Sequence, residues 1–339
     1  MEVNKIYEGT CLDVIRTFPD KSIDCVITSP PYWQLRDYGW DGQWGNEPTF
    51  KMYLENLWSL MDEIWRVLKD TGTVWINLGD TYNSGGNTRS QKEGQKQGAV
   101  PHDYLKATGF TKTDISLNGR AKTLLLIPHR FAIGCIDKGW IMRNDIIWAK
   151  RNGMPESVTD RFTKKHEYFF FMTKNEKYYF DLDGIRDNHK TESIERYKYE
   201  FNGNKDGLDR IQSGAPQGKM RNKAKESYGI GTNNFSEGLR PETHPNGKNP
   251  GSVSDFWDIP TKPNKDKHFA SYNTALIDKP IVAGCPVGGI ILDPFCGTAT
   301  TGCRAIDLQR KFIGIEGSSE YVKIGNKKLL PFQITQQLF

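Results

Sequence analysis

The sequence predicts a doubly wound α/β fold on a mostly parallel sheet, and three stretches predict it. Near the start, Val26-Ile27-Thr28 is a β-branched run suited to a buried strand, cut off by Ser29-Pro30-Pro31-Tyr32. Further on, Tyr53, Leu54, Leu57, Trp58, Met61, Ile64, Trp65 and Leu68 recur at helical spacing. The turn Asp70-Thr71-Gly72 and the apolar run Thr73–Leu78 follow them, the helix-turn-strand order of a parallel crossover. From Gly289 onwards strand, helix, strand and helix alternate.

The remaining elements fall between these stretches. Lys5–Glu8 reads as a strand and Leu12–Arg16 as a short helix, while Gln34–Trp40 is a polar and aromatic loop. Asn83 to about Lys122 is a Gly- and Gln-rich insertion with too few apolar residues for a core, fitting either a loop over the active face or plain surface. Thr123–Asp137 reads as a helix with Pro128 in its first turn. Trp140–Lys150, Tyr168–Thr173 and Tyr178–Phe180 read as strands, with a turn at Arg151–Glu156. From about Gly184 to Asp255 Lys, Arg, Asn, Gly, Ser and Glu dominate, and Gly218–Lys225 is strongly basic. That composition suits a region that orders on a polyanion, or a solvated linker. After Phe256–Pro260, the run closes with a helix at Ala275–Cys285, a strand at Gly289–Asp293, a helix at Ala299–Leu308, a strand at Lys311–Glu316 and a helix at Glu320–Leu330.

Composition narrows the function. With 339 residues, 37% of them hydrophobic, the chain can bury a large core. A net charge of +5 permits a polyanionic partner without requiring one. The six cysteines form no C-x-x-C pair and the six histidines no H-x-x-x-H pair, so they predict no metal site. No apolar run is long enough to span a membrane, and Met1–Lys5 lacks the basic-then-apolar pattern of a signal peptide; the expectation is a cytoplasmic protein.

Chemistry concentrates in two places. A strand ending in Ser29-Pro30-Pro31-Tyr32 offers a hydroxyl and carbonyls, with donors withdrawn by the prolines, beside an aromatic ring. Acceptors at a strand's carboxyl end suit a ligand that brings its own N–H groups, such as a nucleobase amine. Alone, a Pro-Pro pair also ends strands that bind nothing. The second place is Asp293-Pro294-Phe295-Cys296-Gly297-Thr298, a strand-to-helix turn. It is no P-loop, because Cys303-Arg304 stand where Lys and Ser or Thr are needed, and its glycines lack the dinucleotide spacing. Asp293 is placed to meet an ammonium group and Glu316, ending the next strand, to accept from ribose hydroxyls. A ligand with an amino acid at one end and a nucleoside at the other is S-adenosylmethionine.

In this order the motifs resemble the β group of S-adenosylmethionine-dependent DNA amino-methyltransferases, the permuted cytosine-N4 and adenine-N6 family. Thr28–Trp33 resembles its catalytic motif, Asp293–Gly297 its cofactor motif, Phe312–Glu316 its ribose-binding strand, and His268-Phe269-Ala270-Ser271 the lead into the cofactor motif. The resemblance implies a seven-stranded sheet with helices on both faces. It divides the chain into a catalytic half (1–183, with the insertion at about 83–122), a target-recognition region (184–255) and a cofactor-binding half (256–339). It implies Ser29, Pro30, Pro31 and Tyr32 as catalytic, and Asp293, Phe295, Gly297, Thr298, Glu316, Thr10 and Cys11 at the cofactor. Trp33, Arg36, Asp80, Arg151 and His166 are candidates for contact with DNA.

The implied reaction extrudes a base from the duplex, stacks it on Tyr32, and holds its amine by the Ser29 hydroxyl and the Pro30 carbonyl. Ser29 favours cytosine N4 over adenine N6. Double-stranded DNA is the implied partner, with room for a cognate restriction endonuclease. Two departures stand out: Ala299 replaces a glycine of the family's cofactor loop, and Thr10-Cys11 follow Gly9 where the family places an acid for the adenine amine. They leave open a DNA-binding protein with a decayed cofactor site. RNA or protein methylation on the same fold is the other alternative.

Overall fold

The computed structural model describes residues 1–40, 42–83, 119–153, 155–186, 254–261 and 273–336. Most of the polar insertion (84–118), most of the 184–255 region (187–253) and His268–Ser271 lie outside the described residues. The chain divides into two units, Met1–Asp181 with Asp255–Phe339, and Leu182–Ser254. In the second, the described part is a 3-10 turn at Asp183–Ile185 with its flanking residues.

The first unit runs β1 (Lys5–Glu8), α1 (Cys11–Ile15), β2 (Ile23–Thr28), α2 (Phe50–Val67) and β3 (Leu68–Leu78). There follow α3 (Ile127–Asp137), β4 (Ile141–Ala149), β5 (His166–Thr173) and β6 (Phe256–Asp258). It ends with α4 (Ala275–Gly284), β7 (Ile290–Asp293), α5 (Thr300–Asp307), β8 (Lys311–Glu316) and α6 (Ser319–Gln336). The strands form one eight-stranded sheet in the order β1-β8-β7-β2-β3-β5-β4-β6. Only the β3–β5 and β4–β5 pairings among them are antiparallel, so β5 is the strand that runs against the rest.

The sheet therefore has eight strands, not seven. Tyr178–Phe180 is not a strand: Tyr179 N–H donates to the Thr71 carbonyl and Asp181 N–H to that of Ala283, with no ladder. The edge position is taken by β6, which pairs with Ile147–Ala149 of β4. The turn expected at Asp70–Gly72 is also absent. α2 passes straight into β3, and because Ile23 pairs with Leu68 but Cys25 with Thr73, residues 69–72 bulge out of the ladder.

Alternation along the strands gives each face its own core. Val26, Val74, Ile76, Phe170, Met172, Leu292 and Ile313 pack with α1, α2 and α3. Cys25, Ile27, Trp75, Phe169, Phe171, Ile291 and Phe312 pack with α4, α5 and α6. Helices from the early part of the chain thus cover one face and those from its last part the other. The two parts meet where β2 pairs with β7, Cys25 opposite Ile291 and Val26 opposite Leu292. Such a junction in strand order opens a crevice at the carboxyl ends.

Candidate active site

That crevice is a cleft of about 840 Å3, counting its open mouth. It is lined after β1 by Gly9, Thr10 and Cys11, after β2 by Ser29 and Pro31, after β7 by Asp293–Thr298, and at β8 by Glu316 and Gly317. Ser29 and Asp293, far apart in sequence, share it. A direct clasp joins their strands: Thr28 Oγ1 donates to Asp293 Oδ1 at 2.6 Å.

The loop after β7 owes its shape to two acids. Asp293, 2% exposed, also accepts from Phe295 N–H (3.1 Å), and Thr301 Oγ1 donates to its Oδ2 (2.6 Å). Burial pushes its carboxyl up to about 6, against the pull of these hydrogen bonds. Glu316 accepts Gly297 N–H (2.9 Å) on one oxygen and Ser318 N–H (2.8 Å) on the other. Burial raises its pKa too, again opposed by those N–H groups. None of these donors is a cation, and among the described residues neither acid forms an ion pair. Gly297 (φ 50°) and Ala299 (φ 62°) complete the turn in the left-handed region, and Ala299 caps α5 there at a cost of about 1 kcal/mol.

Aromatic rings wall the cleft, and this is what sequence reasoning largely missed. Tyr38, Trp40, Trp44, Phe295 and Tyr321 line it. Trp44 meets Phe295 at 5.3 Å between ring centroids and Tyr38 meets Tyr321 at 6.5 Å. The Trp40 ring lies so close over Gly317 that a Cβ there would come within 2.2 Å of it. Tyr38 and Trp40, part of the polar and aromatic loop Gln34–Trp40 in the sequence, thus line this cleft. At the other end, Thr10 caps α1, accepting from Asp13 N–H (3.2 Å) and donating to Asp13 Oδ2 (2.7 Å). Cys11 is buried, its thiol pushed far above its usual range by burial.

The Ser29–Tyr32 motif faces the next strands. Pro30 is buried, and the Pro31 carbonyl accepts from the Tyr53 hydroxyl at 2.8 Å. The Tyr32 ring sits on Gly79, where a Cβ would fall 2.6 Å from it. Its hydroxyl lies 2.9 Å from Asn77 Oδ1 and 2.8 Å from Glu167 Oε2, and Ser29 Oγ lies 3.4 Å from both Asn77 Oδ1 and the Tyr32 hydroxyl. Burial, then the Glu167 charge, hold the Tyr32 phenol well above its usual pKa.

The residues expected at DNA scatter. Trp33 is corrected to the core: it is 4% exposed, its Nε1–H donates to the Glu47 carbonyl (2.8 Å), and it packs edge-on against Phe50. Asp80, 9% exposed, accepts from Ile127 N–H (3.1 Å) and Thr81 N–H (2.9 Å), capping α3, which has no side-chain cap of its own. Arg36 is half-buried. Arg151 and His166 are exposed, Arg151 paired with Asp258 and His166 3.1 Å from the Tyr168 hydroxyl.

Comparison with known proteins agrees with the geometry. The family model described as DNA methylase (N6/N4) matches residues 23–327. The type II methyltransferase M.Cfr9I of Citrobacter freundii is 34% identical, over 96% of this chain and 87% of its own. M.SmaI of Serratia marcescens is 32% identical, over 96% and 90%. Among solved structures, the PvuII DNA methyltransferase (cytosine-N4-specific) shares the fold with a TM-score of 0.56 at 16% identity, covering 96% of this chain and 90% of that one. A putative DNA modification methylase from Thermus thermophilus, complexed with S-adenosyl-L-methionine, does so at 0.52 and 18% identity, over 97% and 95%. The chain belongs to the N6/N4 DNA methylase family and is an S-adenosylmethionine-dependent DNA methyltransferase.

Proposed function

We propose that the protein methylates cytosine N4 within a specific sequence of double-stranded DNA. The observation that carries this is the shared cleft: Ser29, Asp293 and Glu316 line one space. The choice of cytosine rests on Ser29 at the first motif position. Bound in the cleft, S-adenosylmethionine supplies a methyl group on a good leaving group, so the protein's task is orientation and local electrostatics.

The donor set fits that cofactor. The rings of Tyr38, Trp40, Trp44 and Phe295 give faces for a purine, and Glu316, already accepting two backbone N–H groups, has lone pairs left for ribose hydroxyls. Thr10, Cys11, Gly297 and Thr298 close the wall around it. Asp293 favours the cationic end through its buried charge, since its oxygens already serve Thr28, Thr301 and Phe295. The target base is flipped out and stacks on Tyr32, with its amine donating to Ser29 Oγ and the Pro30 carbonyl. Arg36, Arg151 and His166 contact the DNA, and the basic 184–255 region reads its sequence. A restriction endonuclease of matching specificity is the cognate partner.

Modified-base sequencing of DNA from cells expressing the protein tests this. N4-methylcytosine in one recurring context is expected; N6-methyladenine would transfer the same geometry to adenine. Unmodified DNA from cells that make folded protein would refute the reading.

A further inference from the structure

We propose that Glu167 is the positioning residue of the catalytic motif, acting through the Tyr32 hydroxyl to turn Ser29 into a hydrogen-bond acceptor. This rests on the reading of Ser29 as the acceptor of the base amine. A serine hydroxyl accepts from an incoming N–H best when its own proton is directed elsewhere. Ser29 Oγ has two destinations in reach, Asn77 Oδ1 and the Tyr32 oxygen, both at 3.4 Å. Tyr32 has two of its own, Asn77 Oδ1 at 2.9 Å and Glu167 Oε2 at 2.8 Å, and only one proton to give.

The amide of Asn77 cannot turn to suit both. Its Nδ2–H donates to the Tyr168 carbonyl at 3.0 Å, so Oδ1 stays aimed at the two hydroxyls. Glu167 decides the contest. A carboxylate outbids an amide oxygen for a phenol proton, and this one is held in place by an ion pair with Lys150, whose ammonium also lies 4.3 Å from the centre of the Trp148 ring. With Tyr32 donating to Glu167, Asn77 Oδ1 and the Tyr32 lone pairs are left for the Ser29 proton. The remaining lone pairs of Ser29 then point away from this network. Glu167 reaches the site because β5 runs against its neighbours, which brings its second residue level with Trp148, near the end of β4.

The test compares Glu167→Ala, Glu167→Gln and Tyr32→Phe, alone and combined, with Ser29→Ala as reference, in single-turnover methylation of duplex DNA. Cofactor affinity is measured alongside by calorimetry. Glu167→Ala is expected to slow methyl transfer by about 10- to 100-fold, the worth of a charge-assisted hydrogen bond, with cofactor affinity unchanged. Glu167→Gln, which keeps an acceptor for Tyr32 and nearly the same shape, should recover part of that loss. In the Tyr32→Phe background, Glu167→Ala should add less than about twofold. A merely structural role would give the same loss in both backgrounds, and that result overturns the proposal. So does an unimpaired Glu167→Ala beside an inactive Ser29→Ala, which leaves the reading of Ser29 intact. A fully active Ser29→Ala would remove that reading and this inference with it.

Discussion

The two sides of the crevice are built from different materials. On the side of β1, β8 and β7, the cleft is lined by aromatic rings, two acids and backbone turned into the left-handed region at Gly297. On the side of β3, β5 and β4, Ser29 is backed by a web of side chains, Tyr32, Asn77, Glu167 and Lys150. Rings and backbone suit a ligand that is the same in every turnover. A web of hydroxyl, amide and carboxylate suits a proton-bearing group whose alignment must be set each time. The clasp from Thr28 to Asp293 ties the two together.

If that division holds, damage to one side should spare the other. The largest effect is expected from Ser29→Ala: methyl transfer should drop by about 100-fold or more, the scale of losing one well-placed hydrogen bond in an active site. Its cofactor affinity should stay within about twofold, read by calorimetric titration. Gly317→Ala should do the reverse. A Cβ there would fall 2.2 Å from the Trp40 ring, so the ring must leave the cleft wall. Cofactor affinity should weaken by about tenfold, while the single-turnover rate at saturating cofactor changes little.

The buried acid gives a pH test of the same division. Asp293, raised to about 6, is ionised above that pH and neutral below it, and only the ionised form attracts a cationic cofactor. Affinity for S-adenosylmethionine should be full near pH 8 and fall as the pH drops through about 6, by up to about tenfold per unit. Glu316, raised in the same direction, adds to the fall, and Asp293→Asn should flatten it. The smallest effect is expected from Ala299→Gly, which relieves a φ of 62°. It should stabilise the protein by about 0.5 kcal/mol, strain relief less the glycine's entropy, measured by denaturant titration.

Local patterns made most of the layers legible. The helix from Phe50 and the strands at Lys5–Glu8 and Lys311–Glu316 stand where spacing and β-branched runs put them. The pairing of Ser29 with Asp293 was legible only because two motifs carried matching halves of one chemistry. What stayed hidden depends on contacts that no local pattern encodes. The bulge at residues 69–72 follows from pairing with β2, and the path of Tyr178–Phe180 from single backbone bonds, Tyr179 N–H to Thr71 and Asp181 N–H to Ala283. Glu167 gave no signal, because its partners Tyr32 and Lys150 come from other strands' ends. Trp33 looked available for DNA until its indole was found spent on Glu47.

The reversed direction of β5 has one more consequence. In a sheet of parallel strands each connection must travel back along a helix, so every strand brings just one end to the working rim. Reversal lets the β4–β5 hairpin bring both, with residues 150–165 as its overhang. Length and charge can change in that overhang without disturbing either helical layer.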